Sequence, residues 1–209
     1  MKQKVKSFER KNELIKAALE EFTVKKYEDA SLNIIIKNAG ISKGTFYYHF
    51  QDKQALYLFL LKCASDAKIE FLMRRTNEMA VDFSGKDMFE AYKVQARFGA
   101  EFLAAYPEFY KLGIMFLKER GNEIYDKAKE YLGRSSESIV EDMVRKAAEN
   151  GDFRSGFSIE FIVRVLGHLL MQFDQIFNRE EDLEMDRMLD NLDHYVDFMK
   201  YGFGKRETR

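Results

Sequence analysis

Apolar residues in the first quarter of this chain recur at helical spacing. Leu14, Ala17, Ala18, Phe22 and Val24 draw a stripe through residues 7–26, and residues three and four apart share one face of an α-helix. Ser31 then precedes a short run, Leu32–Asn38, that contains Ile34, Ile35 and Ile36. Serine at that place is a helix N-cap, because its hydroxyl takes up a backbone N–H that the first turn leaves unpaired. Ala39-Gly40 closes the run, since glycine accepts the left-handed backbone at a helix end. Ser42 caps a second short helix, Lys43 to about His49. Asp52 caps a long one that starts near Lys53 and extends to about Ala80.

Past the break at Ser84-Gly85, the same periodicity predicts helices at about 86–105, 107–119, 122–149, 158–178 and 182–202. Pro107 suits a first helical turn, and Gly121-Asn122 and Asn150-Gly151-Asp152 read as turns. With one proline and 12 glycines in 209 residues, little interrupts long helices. The expected fold is all-α with about nine helices, an N-terminal three-helix helix-turn-helix head joined to a larger helical bundle body. The head covers residues 1–53, the body 54–204, and 205–209 form a flexible tail.

The segment 31–49 packs helix, tight turn and helix into under twenty residues, so the two helices must cross steeply. Ile35 and Ala39 supply the inner face of the first, and Ile41, Phe46 and Phe50 that of the second. The outer face of the second helix is left with Lys43, Gly44, Thr45, Tyr47, Tyr48 and His49. Lys43 stands in the first turn, where a recognition helix meets base edges, and its ammonium matches guanine O6 and N7. Gly44 lets the backbone come close to the bases. Thr45, Tyr47 and His49 suit phosphate oxygens, and Tyr48 suits either target. Lys53, at the start of the next helix, is expected on a phosphate, and Asn33 on backbone or base. The competing reading makes 45–50 an aromatic-rich core helix, against which the cap-turn-cap arrangement argues.

Charge supports the first reading through its distribution. The net charge is only −1, yet residues 1–53 hold 11 Lys and Arg against 7 Asp and Glu, and the remainder 23 against 28. A basic end on an acidic body is the asymmetry of a protein that docks one end on phosphate.

The run 39–57, Ala-Gly-Ile-Ser-Lys-Gly-Thr-Phe-Tyr-Tyr-His-Phe-Gln-Asp-Lys-Gln-Ala-Leu-Tyr, closely resembles the signature of TetR-family transcriptional regulators. The upstream run 15–22, Ile-Lys-Ala-Ala-Leu-Glu-Glu-Phe, resembles that family's first helix. The likeness covers residues 13–57, about a fifth of the chain. Two positions depart from it. Lys25-Lys26 stand where the family often has a glycine before the aromatic at Tyr27, and Ile36 occupies a place where alanine is usual. The resemblance implies a body, 54–204, that binds a small effector and dimerises. It also implies a repressor whose two heads are rotated or spread by the effector through the helix from Lys53. The partners are then double-stranded DNA, a small-molecule effector and a second copy of the chain.

The body offers matching material. Tyr92, Phe98, Phe102, Tyr106, Phe109, Phe116 and Tyr125 fall in one aromatic stretch and are candidates to line a pocket for an apolar or amphipathic effector. Packing of these rings against each other as ordinary core is the other reading. Ile159, Ile162, Val163, Leu166, Leu169, Leu170, Phe173 and Phe177 form one apolar band, and Leu183, Met188, Leu189, Leu192, Val196 and Met199 another. Helices near 158–178 and 182–202 are therefore the expected homodimer surface, as a four-helix bundle with Gly167 allowing close approach. A body that binds a protein partner in place of a small ligand is the alternative.

Other classes find little support. One cysteine, Cys63, excludes an internal disulfide and suits a reducing compartment. The first ten residues are charged and lack a secretory signal's apolar core. The stretch 161–173 is interrupted by Arg164 and His168 and is too short to span a bilayer. A cytoplasmic location without membrane contact is expected. No catalytic constellation, phosphate loop or nucleophile elbow is present. Asp190 and His194 share a helix face, but no further histidine or cysteine joins them as a zinc ligand. No enzyme activity, metal or cofactor is expected.

Overall fold

The computed structural model of the chain describes residues 2–80, 85–133, 136–177 and 184–203. Ser84, Leu183 and the expected tail 205–209 lie outside the described residues. The helices are α1 Lys2–Phe22, α2 Leu32–Asn38, α3 Lys43–His49, α4 Lys53–Glu78, α5 Met88–Ala105 and α6 Pro107–Leu117. After them come α7 Glu123–Leu132, α8 Ser136–Glu149, α9 Ile159–Met171, α10 Phe173–Ile176 and α11 Met185–Phe203.

Among the described residues that is eleven helical segments where about nine were expected, because two long segments divide. The helix expected over 122–149 stops at Gly133, whose left-handed φ of 76° turns its N–H back to the carbonyls of Lys129 and Glu130. The one expected over 158–178 breaks at Gln172, whose N–H bonds Leu169. α1 also ends at Phe22, short of Lys26. The Glu21 carboxylate in its last turn accepts the Ser31 N–H at 2.9 Å and Lys25 Nζ at 2.8 Å, which draws the chain out of the helix.

The chain packs as two compact units, one of Met1–Phe71 with Phe102–Gly133, the other of Leu72–Glu101 with Arg134–Arg209. The first unit closes around Leu14, Phe22, Ile35, Phe46, Leu56 and Leu60, all wholly buried. Each such side chain contributes about 1.5–3 kcal/mol by leaving water. Leu112 of α6 and Ala128 of α7 are wholly buried in the same core. The expected head boundary at residue 53 therefore falls inside a unit: α1–α3 share their core with most of α4, α6 and α7.

The second unit centres on Val144, Leu166, Val196 and Met199, also wholly buried. Gly167 is buried in α9, and a Cβ added there would meet only the Glu141 side chain of α8, at 4.0 Å. Ion pairs of 2.7 Å join Lys93 to Asp197, Arg97 to Asp193 and Lys200 to Asp87. They tie α5 and the residue before it to α11.

Candidate nucleic-acid interface

The two short helices are set by local chemistry. Ser31 Oγ accepts the Ile34 N–H, Ser42 Oγ the Thr45 N–H at 3.1 Å, and Asp52 Oδ1 the Ala55 N–H at 2.7 Å. Each takes up a donor that a helix start leaves unpaired. Between α2 and α3, Gly40 adopts φ +62°, where any other L-residue would be strained. Its N–H bonds the Lys37 carbonyl, and the Ile41 N–H bonds that of Ile36. Ile35, Ile36, Ala39, Phe46 and Phe50 are buried, which fixes the inner faces of both helices.

The opposite face of α3 is open. Lys43 and Gly44 are exposed, Tyr47 is 58% and Tyr48 78% exposed, and Asn33 of α2 is exposed as well. Lys43 and Tyr47, like Gly44 and Tyr48, are four residues apart and share a face. A Cβ added at Gly44 would meet only the Ser42 hydroxyl, at 3.7 Å, so the backbone there is free to approach a partner. Thr45 is half-buried, and its hydroxyl lies 3.0 Å from that of Ser42. His49 is half-buried beneath the edge of the Tyr48 ring, and its Nε2 is covered with no hydrogen-bond partner among the described residues. Burial, then the nearby Lys11 charge, pushes the His49 pKa below 6.5, so the imidazole is neutral at pH 7.

Lys53 reaches the loop between α1 and α2. Its Nζ donates to the carbonyls of Tyr27 at 2.6 Å, Ala30 at 3.0 Å and Glu28 at 3.4 Å, and lies 4.4 Å from the centre of the Tyr27 ring. An ammonium has three donors, and three carbonyls take them. Lys53 thereby ties the loop between α1 and α2 to the start of α4. The same loop is held from the turn after α6. Glu119, 1% exposed, accepts the Tyr27 N–H at 2.7 Å, and its other oxygen accepts from Asn122 Nδ2 at 2.7 Å. Burial, with the charges of Asp52, Glu28 and Glu123, pushes the Tyr27 phenol up to about 12. Burial and the Glu119 charge raise that of Tyr57 too, so both remain protonated. Glu119 carries no signal in the sequence, because its partner lies 92 residues away and no local pattern links them.

The candidate effector residues fall into separate groups. In the first unit Phe102 stacks on Tyr106 at 4.9 Å and Tyr106 on Phe109 at 6.0 Å, with Phe71 edge-on to the first two. Phe116 stacks on Tyr125 at 4.8 Å, and Phe116 packs against the core that α1–α3 share. In the second unit Phe98 is buried beneath the Arg75 guanidinium. There Tyr92 packs against the core, and burial pushes its phenol up to about 12. Cys63 is half-buried and its thiol is pushed up by burial first, which keeps it protonated and inert. Among the described residues no group of three or more His, Cys, Asp or Glu is placed to hold a metal ion. No helix there is long and apolar enough to cross a membrane.

Two capped helices joined by a tight turn, with the second presenting an open polar and aromatic face, define a helix-turn-helix nucleic-acid-binding head. Residues 14–59 match the family model for bacterial regulatory proteins, tetR family. The HTH-type transcriptional regulator YdgC of Bacillus subtilis is 40% identical over 58 residues, 28% of this chain and 30% of its own length. The biofilm operon icaADBC HTH-type negative transcriptional regulator IcaR of Staphylococcus aureus is 32% identical over 68 residues, 32% of this chain and 37% of its own. The match thus spans about a third of these curated relatives. The fold likeness extends further. A TetR family transcriptional regulator from Chloroflexus aurantiacus has a TM-score of 0.68 at 21% identity, over 95% of this chain and 94% of that one. NalD, the secondary repressor of the MexAB-OprM multidrug efflux pump in Pseudomonas aeruginosa, also scores 0.68, at 18% identity over 97% and 99%.

Proposed function

We propose that the chain is a sequence-specific DNA-binding transcriptional regulator that lays α3 in the major groove. The face of α3 carries this reading: Lys43, Gly44, Tyr47 and Tyr48 are exposed while Phe46 and Phe50 are locked in core. Lys43 and Gly44 meet base edges. Thr45, Tyr47 and His49 hold phosphates, with Tyr48 and Asn33 at the margin. Lys53 acts behind this surface by fixing the loop.

The chain works as a homodimer through the helices near 158–178 and 182–202. In support, Phe198 is 70% exposed and Tyr201 78%, large apolar groups on α11. Two-fold symmetry then sets the recognition helices ~34–36 Å apart or a multiple of it, and the site is palindromic. Residues 1–53 touch DNA and 54–204 bind effector and partner, a division of labour within units that pack differently.

The regulator represses and is released by a small apolar or amphipathic effector, with Phe102, Tyr106, Phe109, Phe116 and Tyr125 as candidate contacts in the first unit and Tyr92 and Phe98 in the second. The negative role of IcaR and the repressor role of NalD favour this reading. The ring-on-ring packing of Phe102, Tyr106 and Phe109 favours a second reading, in which the body binds a protein partner.

Selection of duplexes from a random pool tests the main reading, with inverted repeats expected and an unenriched pool sinking it. A thermal-shift screen in which only polar compounds stabilise the protein would overturn the effector class.

A further inference from the structure

The positive balance of residues 1–53 is carried entirely by the first eleven residues, Lys2, Lys4, Lys6, Arg10 and Lys11 against Glu9. From Glu13 to Lys53, six basic and six acidic residues cancel. The helix-turn-helix and the helix segment packed on it are therefore neutral, although their partner is a polyanion. The net positive excess of residues 1–53 lies outside this span.

The backbone of this segment is helical. α1 begins at Lys2, and the first of its described residues to enter the core is Leu14. The helix from Lys2 to Leu14 rises about 18 Å at its usual pitch. Lys11 of this helix lies near the end of α3. Lys11 Nζ lies 4.8 Å from the centre of the Phe59 ring, and Phe59 lies 5.4 Å from the Phe50 ring that follows His49. The Lys11 charge also reaches the His49 imidazole.

We propose that residues 2–11 are a second DNA-contacting element, which neutralises phosphates beside the groove occupied by α3 and adds affinity without reading sequence. The proposal rests on the placement of α3 in the groove. Four of the five basic residues are lysines, compact hydrated charges that bind phosphate without the fork by which arginine reads guanine. Neutralising phosphates in this way releases counterions, so its signature is salt dependence.

The test uses the full chain carrying Lys2→Gln, Lys4→Gln and Lys6→Gln together. Glutamine keeps helix propensity close to that of lysine. Anisotropy titrations across potassium chloride concentrations follow binding to a selected duplex and a random-sequence duplex. The variant is expected to weaken on both by the same factor, and its slope of log K against log salt to flatten by about 0.9 for each phosphate it no longer neutralises. A slope equal to that of the unsubstituted chain overturns the proposal and assigns the segment to another acidic surface, while leaving α3 in place. Lys43→Ala, run alongside, is expected to weaken only the selected duplex. An unsubstituted chain that binds neither duplex overturns both readings.

Discussion

The Glu119 carboxylate accepts the backbone N–H of Tyr27 at 2.7 Å, and so joins the turn after α6 to the loop between α1 and α2. Lys53 holds the carbonyl of that same residue at 2.6 Å. The loop that leads into the DNA-facing helices is thus gripped from the end of α6 on one side and α4 on the other.

Glu119→Ala leaves the Tyr27 N–H without its acceptor and opens a void. A loss of about 1–3 kcal/mol in folding free energy is expected, the cost of a buried group left unpaired. Urea unfolding measures it, and an unchanged midpoint would deny the grip its structural role.

Lys53→Ala is expected to cost a similar amount, about 1–3 kcal/mol, since three carbonyls lose a charged donor. Binding should weaken on every duplex because the loop loosens, with the salt slope unaltered. A slope flattened by about 0.9 would show that Lys53 reaches a phosphate after all.

Lys43 is exposed on α3 and contributes to no core. Lys43→Ala should leave unfolding unchanged and reduce affinity for a selected duplex by about 1–3 kcal/mol if the lysine reads a base. Equal weakening on selected and random duplexes would reassign it to phosphate.

His49 links affinity to pH. Burial and Lys11 hold its pKa below 6.5 in the free protein, whereas a phosphate favours the imidazolium. Binding then takes up a proton, so affinity rises as pH falls from about 7.5 to 5.5. His49→Gln should remove that rise. Identical pH profiles for the two proteins would take His49 off the phosphate.

Glu21 sets an acid limit. Burial pushes its pKa up, but hydrogen bonds from Lys25 and the Ser31 N–H outweigh this and hold it below the ordinary 4.5. A carboxylate with a depressed folded pKa adds stability above its unfolded value, and that stability fades as pH falls through the folded one. Stability should drop between about pH 5 and 3, and Glu21→Gln should make the drop shallower by unfolding at stepped pH.

The helix-turn-helix was legible because its determinants are local: Ser31, Ser42 and Asp52 cap within three residues, and Gly40 turns the chain between. The buried faces of α2 and α3 followed from spacing alone. What escaped was non-local. Helical periodicity marks Leu112 and Ala128 as inward without saying that they join the core of α1–α3. Lysine at the start of a helix suggests an anion, and only the folded loop reveals three carbonyls within its reach. The aromatic stretch announced burial, while the partner of each ring depends on how α4, α5, α6 and α7 assemble.

Both grips on residue 27 fall on its main chain, an N–H and a C=O that nineteen of the twenty amino acids share. The loop can therefore drift in side-chain identity without releasing the connection. Proline, which has no N–H to offer Glu119, is the one replacement that this attachment cannot absorb.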